Sequence, residues 1–166
     1  MRKLIVSLCL LLTSCGYHLA GKQLNDGNGR SIAVPTFLNR TTTYRVEQQI
    51  TEEVRRELIR RTRFKVTSED TGDIVVAGEI LAYNAVPVIF NTEGRGSAYT
   101  ILVDFRVHVT DTQTGKVLFQ TDRTTFREVF ELAQQSGEFV PEDPAAVERL
   151  ARRFASTLVA SLAHSK

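Results

Sequence analysis

The sequence predicts an α+β fold: a two-layer sandwich in which two helices pack on one face of a mainly antiparallel four-stranded sheet, in the order β-α-β-β-β-α. Three observations point to it. Tyr99 to Thr110 alternates apolar and polar side chains with a strict period of two. Asp111-Thr112-Gln113-Thr114-Gly115-Lys116 follows directly, with the chemistry of a type I turn closed by a residue of positive φ. Toward either end, Val46 to Leu58 and Val147 to Leu162 repeat apolar residues every three or four positions, as helices with one buried stripe do.

At 166 residues the chain has room for one domain, and 42% apolar with 24% charged residues is a globular composition. Lys plus Arg number 21 and Asp plus Glu 19, which excludes a blanket basic surface for nucleic acid. The two cysteines, Cys9 and Cys15, both fall in the first fifteen residues, so the rest of the chain has neither a disulfide scaffold nor a Cys-rich zinc site.

Arg2 and Lys3 precede an apolar run, Leu4 to Leu12, that is too short to cross a bilayer of about 30 Å. Residues 1–14 therefore read as a signal peptide. Its end, Leu12-Thr13-Ser14-Cys15, resembles a bacterial lipobox, which implies a diacylglycerol and an N-acyl chain on Cys15 and no other cofactor. The alternative is a secretory signal with an incidental cysteine. Three acyl chains exceed the two signals that stable anchoring needs. Gly16, where an Asp would imply inner-membrane retention, implies a lipid-anchored protein on the periplasmic side of a Gram-negative outer membrane. Removing the leader takes away two bases and no acid, leaving 19 against 19 and no global field to steer a polyanion.

Residues 15–30, with Gly16, Gly21, Gly27 and Gly29, read as a tether, and residues 31–166 as a single domain. Ser31-Ile32-Ala33-Val34-Pro35 is a strand closed by a proline, and Thr36 to Thr42 a loop. Thr43 is placed to N-cap a helix to Arg61 with Val46, Ile50, Val54 and Leu58 inward. Its other face interleaves arginines and glutamates, with Glu52–Arg56 and Glu57–Arg61 at i,i+4, and reads as a solvated, self-paired surface. Phe64-Lys65-Val66 is a strand stub and Ser68 to Gly72 a turn; Ile74 to Val86 is a strand with Ile74, Val76, Ile80 and Ala82 on one side. Val117 to Arg127 returns antiparallel, Glu128 to Val140 is ambiguous, and Asp143-Pro144 supplies an N-cap and a first helical residue. Val147, Leu150, Ala151, Phe154, Leu158 and Leu162 form the inward stripe of the second helix.

The search for catalytic chemistry returns little. His18, His108 and His164 stand apart, each read as a surface or edge histidine, and none has a partner at metal-ligand spacing. There is no nucleophile elbow and no phosphate-binding loop; Gly94-Arg95-Gly96 lacks the third glycine and the following helix. No enzyme is expected, and a periplasmic hydrolase has no motif to stand on. What remains is Pro87 to Ser97, long for a hairpin connection, with Ile89, Phe90 and Arg95 on a glycine-flanked tip. That combination suits a partner or an amphiphile with a phosphorylated head; the alternative is a surface loop with Phe90 tucked under the sheet.

Cys15-Gly16-Tyr17-His18-Leu19, Ile32-Ala33-Val34-Pro35-Thr36-Phe37 with Asn39-Arg40-Thr41, Ala98-Tyr99, and Arg123 to Phe126 together resemble the LptE family of lipopolysaccharide-assembly lipoproteins, from Cys15 to about His164. The resemblance implies a non-enzymatic protein that plugs the LptD β-barrel as a 1:1 heterodimer, supports the barrel's assembly and assists lipopolysaccharide insertion into the outer leaflet. It implies lipopolysaccharide contact by Arg95, beside the Ile89 and Phe90 already singled out; at the family's second basic contact the chain departs, since Glu128 to Gly137 holds no Lys or Arg and only Arg127 is nearby as a candidate. A second likeness, in Ala33-Val34-Pro35 and Asn39-Arg40-Thr41, is to curli-secretion and peptidoglycan-synthase-activator lipoproteins, which are also binding modules. No nucleic acid partner is expected.

Overall fold

The structure is a computed structural model and describes residues 29–131 and 143–164. The expected leader, Cys15, the expected tether as far as Asn28 and the segment 132–142 lie outside the described residues. In chain order the elements are β1 (Ser31–Ala33), β2 (Leu38–Asn39), α1 (Val46–Arg61), β3 (Lys65–Thr67), β4 (Ile74–Phe90), β5 (Gly96–Asp111), β6 (Val117–Glu131) and α2 (Pro144–His164).

The class is α+β, but the sheet has six strands and mixed pairing, not four in a mainly antiparallel array. Its order is β3-β1-β4-β5-β6, with β2 also beside β4. β1 lies parallel to both β3 and β4, β2 is parallel to β4, and only β4-β5-β6 is antiparallel. The departure has a physical source. Ile32, Ala33 and Val34 are fully buried, so this short run needs neighbours on both edges, and the crossover through α1 supplies β3 on the far one.

β1 and β2 sit in tandem along one edge of β4, at Ile74–Val75 and at Glu79–Ile80. Between them Pro35 cannot donate to the ladder, so the chain lifts away. Phe37 then turns into the core, where its ring lies over Gly78, and its backbone N–H donates to Thr51 Oγ1 at 2.9 Å. Among the described residues no strand pairs with that edge of β4 beyond Ile80, and none pairs with the outer edge of β6.

α1 starts later than Thr43. Its N-cap is Arg45 at φ 57°, with no side-chain cap bond. Asn39 organises the entry instead: its Oδ1 accepts from the N–H and hydroxyl of Thr41, and its Nδ2 donates to Thr43 O and Glu47 Oε2. The inward stripe Val46, Ile50, Val54 and Leu58 is buried as expected. Glu57–Arg61 forms at 2.7 Å; Arg56 pairs with Glu53 rather than with Glu52. Arg55 pairs with Glu52 at 3.6 Å and also donates twice to Val34 O, tying α1 to the sheet.

β5 carries the core on one face, with Ile101, Val103, Phe105, Val107 and Val109 buried. Beside it β4 shifts register between Ile80 and Ala82. Ala82 therefore pairs with Asp104 on the outer face, not on the side of Ile74, Val76 and Ile80, and Tyr83 takes the inner position opposite Val103. The expected α2 stripe is buried throughout, and Phe154 stacks on Phe105 at 4.0 Å with Phe126 edge-on to both. Asp143 caps α2 as expected, accepting from the Ala145 N–H at 3.0 Å.

Candidate functional site

Among the described residues no group of His, Cys, Asp or Glu is placed to hold a metal, and no helix is long and apolar enough to cross a membrane. A cavity of about 120 Å³ between β6 and α2 is lined by Phe119, Phe126, Phe154 and Leu158 with threonine and serine hydroxyls, and has no acid or base in its lining. Two further hollows on the described surface are lined by charged side chains, one by Glu53, Arg56 and Glu148 and one by Glu79, Arg106, His108 and Asp122; Ile89, Phe90 and Arg95 lie away from both, at one end of the long strands.

At one end β4 and β5 run on past the helices to a tip. The stretch from Pro87 to Ser97 is therefore not a long loop: β4 continues to Phe90, β5 starts at Gly96, and only Asn91 to Arg95 connects them. Asn91 holds that turn. Its N–H donates to Arg95 O, its carbonyl accepts from Gly94, and its Oδ1 accepts from the N–H groups of Glu93 and Arg95. Gly94 supplies a φ of 74° that a side chain would oppose.

Ile89 and Phe90 are 55% and 59% exposed, with Val86 and Val88 beside them, so Phe90 does not tuck under the sheet. Arg95 projects into solvent and pairs with Glu93 at 3.2 Å. Arg127 sits elsewhere, on β6 opposite Leu102, and among the described residues has no ion-pair partner. The rows Ile89–Ala98–Glu131, Val86–Thr100–Val129 and Asn84–Leu102–Arg127 cross the three strands on one face. Arg127 is thus on that sheet face, two rows in from Ile89, and the structure does not bring it to Arg95. Asn91 and the exposed Val129 are site features missed at the sequence level; an Asn before a glycine-containing turn was the available signal for the first.

Farther along the same face the polar groups are paired. Glu79 receives Arg40 and Arg106, and Asp104 holds Arg123 at 2.6 Å and Thr125 at 2.6 Å. The Thr125 hydroxyl, with Arg123 adding to it, keeps the Asp104 carboxyl below its ordinary pKa. His108 is exposed on this face, as expected. On the helix side Glu128 binds Arg149 at 2.7 Å and Arg153 at 3.2 Å, fastening α2 to β6 below the tip.

The other end is the base, where the described chain begins. Arg30 donates to Asp111 at 2.6 Å, and with the Thr114 N–H this holds the Asp111 carboxyl down to about 2. Asp73 accepts from the N–H and hydroxyl of Ser31 and from Gln113, bonds that lower its pKa. The Lys65 N–H donates to Arg30 O, which brings the start of β3 and the end of α1 to the same place. The turn after β5 has the expected form, with Gly115 at φ 69° and Asp111 Oδ1 accepting from Gln113 and Thr114.

The family model described as LptE, lipopolysaccharide-assembly, matches residues 29–162. No curated protein sequence matches the chain. Among solved structures, a hypothetical protein from Chlamydia trachomatis superposes with a TM-score of 0.53 at 16% identity, over 81% of this chain and 96% of that one. A putative lipoprotein from Caulobacter crescentus gives 0.51 at 13% identity, over 77% and 88%. A protein from Xanthomonas campestris gives 0.50 at 12% identity, over 78% and 81%. These likenesses show a shared fold.

Proposed function

The chain belongs to the LptE lipopolysaccharide-assembly family, a family of non-enzymatic envelope lipoproteins of Gram-negative bacteria, and from that premise we propose that it stands inside a partner β-barrel of the LptD type with its tip toward the outer leaflet. One observation carries the orientation. β5 runs 16 residues from tip to base, about 50 Å at the ordinary rise of a strand, while a bilayer with its headgroups is about 40–45 Å thick. A domain anchored at its base through an acylated Cys15 and enclosed by a barrel therefore reaches the far leaflet with Ile89, Phe90 and Arg95. The apolar pair meets acyl chains and Arg95 meets a phosphate of lipopolysaccharide. The polar, ion-paired sheet face suits the polar interior of a large barrel.

Domain limits follow the same reading: a leader over 1–14, a lipidated tether over 15–30 and one domain from 31 onward. Isolation in mild detergent tests it. A large β-barrel recovered in 1:1 ratio is the expected result; recovery of a peptidoglycan synthase would transfer the protein to the other class of periplasmic lipoprotein.

A further inference from the structure

We propose that the base of the domain is a binding surface for anionic phospholipid headgroups, formed by Arg60, Arg61, Arg63 and Lys65 with Ile59 among them, and that it orients the domain on the leaflet holding its anchor. The proposal rests on the reading that the chain is anchored through Cys15. It starts from an asymmetry in α1. Glu57 is 4% exposed, while the side chains of its partners Arg60 and Arg61 are 64% and 47% exposed. The helix thus turns its carboxylate inward and its guanidinium groups outward. From Cys15 onward the charges balance at 19 against 19; this end of the helix is not balanced.

Two more cations follow at once. Arg63 and Lys65 are exposed, and among the described residues neither has an ion-pair partner. Ile59 lies exposed on the same last turn of α1, an apolar side chain able to enter an interface between charged neighbours. The exposed acids Glu69 and Asp70 come after β3, on the connection to β4.

The place of this cluster identifies its occupant. The Lys65 N–H donates to Arg30 O and α1 ends four residues earlier, at Arg61, so this basic stretch of chain comes up beside Gly29 and Arg30, the first described residues. Gly29 follows Cys15 by fourteen positions (29 minus 15), which reach no more than about 50 Å even fully extended. A surface confined that close to a bilayer meets its headgroups at high effective concentration, so a modest attraction is enough to fix orientation. Basic clusters beside a lipid anchor act in this way on anionic leaflets, and lose it with added salt.

The test uses the full mature chain with Cys15→Ser, so that binding reports the patch and not acyl chains. The expected result is sedimentation with vesicles of phosphatidylcholine and phosphatidylglycerol, none with phosphatidylcholine alone, and release by salt. Arg63→Glu with Lys65→Glu, both at exposed positions without ion-pair partners among the described residues, should weaken binding roughly 30-fold, from about 1 kcal/mol for each basic residue near an anionic leaflet. The thermal midpoint should hold. Arg95→Glu, at the far end, should leave vesicle binding unchanged. Equal binding to neutral vesicles, no loss in the double variant, or an equal loss in Arg95→Glu would overturn the proposal. So would double-variant loss seen with lipopolysaccharide micelles alone. Mass spectrometry of Cys15 in the native protein reads the anchor separately, so failure of the anchor and failure of the patch are told apart.

Discussion

Individual side chains divide between those that hold the fold and those that are free to bind. Arg95 is of the second kind, so Arg95→Asp should weaken lipopolysaccharide binding, read by titration, while the thermal midpoint stays nearly fixed, as for other exposed positions. Gly78 is of the first. A Cβ there would lie 2.3 Å from the Phe37 ring, which is buried and held edge-on by Phe154 at 6.1 Å. Gly78→Ala should therefore cost about 1–3 kcal/mol by overpacking, measured as a lower urea midpoint. Asp111 ties stability to pH. Its folded pKa, about 2, lies below the ordinary carboxylate value because Arg30 and the Thr114 N–H favour the charged form. The stabilisation is thus fully present above about pH 4 and lost as pH falls through about 2. Asp111→Asn should flatten the fall in denaturant midpoint across that window. Little of this was visible in the sequence: Gly78 read as one more strand residue, and nothing local linked Arg30 to a carboxylate 81 positions away.

At the scale of elements, those with a local chemical signature were legible. Asp143-Pro144 announced the start of α2, and the Asp143 carboxylate does accept from Ala145. Asp143→Ala should lower stability by about 1 kcal/mol and Asp143→Asn should restore most of it, both read from urea midpoints. The turn from Asp111 to Lys116 was equally plain, because Asp early and Gly late leave few backbone conformations. The errors share one cause, the absence of a local marker for a long-range partner. β1 looked like an ordinary strand, and its parallel neighbours come from residues more than thirty positions away. The register shift at Leu81 moved Ala82 to the outer face, and no residue there signals a bulge. Pro87 and the glycines suggested a loop where β4 and β5 continue as a ribbon, since proline is tolerated on an edge. Ile89, Phe90 and Arg95 were found by their chemistry; the Asn91 turn that presents them needed the backbone.

For the whole molecule, the antiparallel core of three strands is longer than the helical layer that covers it, and that disproportion shapes its behaviour. Among the described residues each flank of the ribbon ends in open ladder: β4 beyond Ile80 on one side, all of β6 on the other. Bare N–H and C=O groups beside Val86, Val88 and Ile89 invite a second chain to add itself. The molecule accordingly has a clock. Left alone at high concentration it should drift into fibrils seeded from the ribbon, so its useful lifetime is the interval before something larger closes around it.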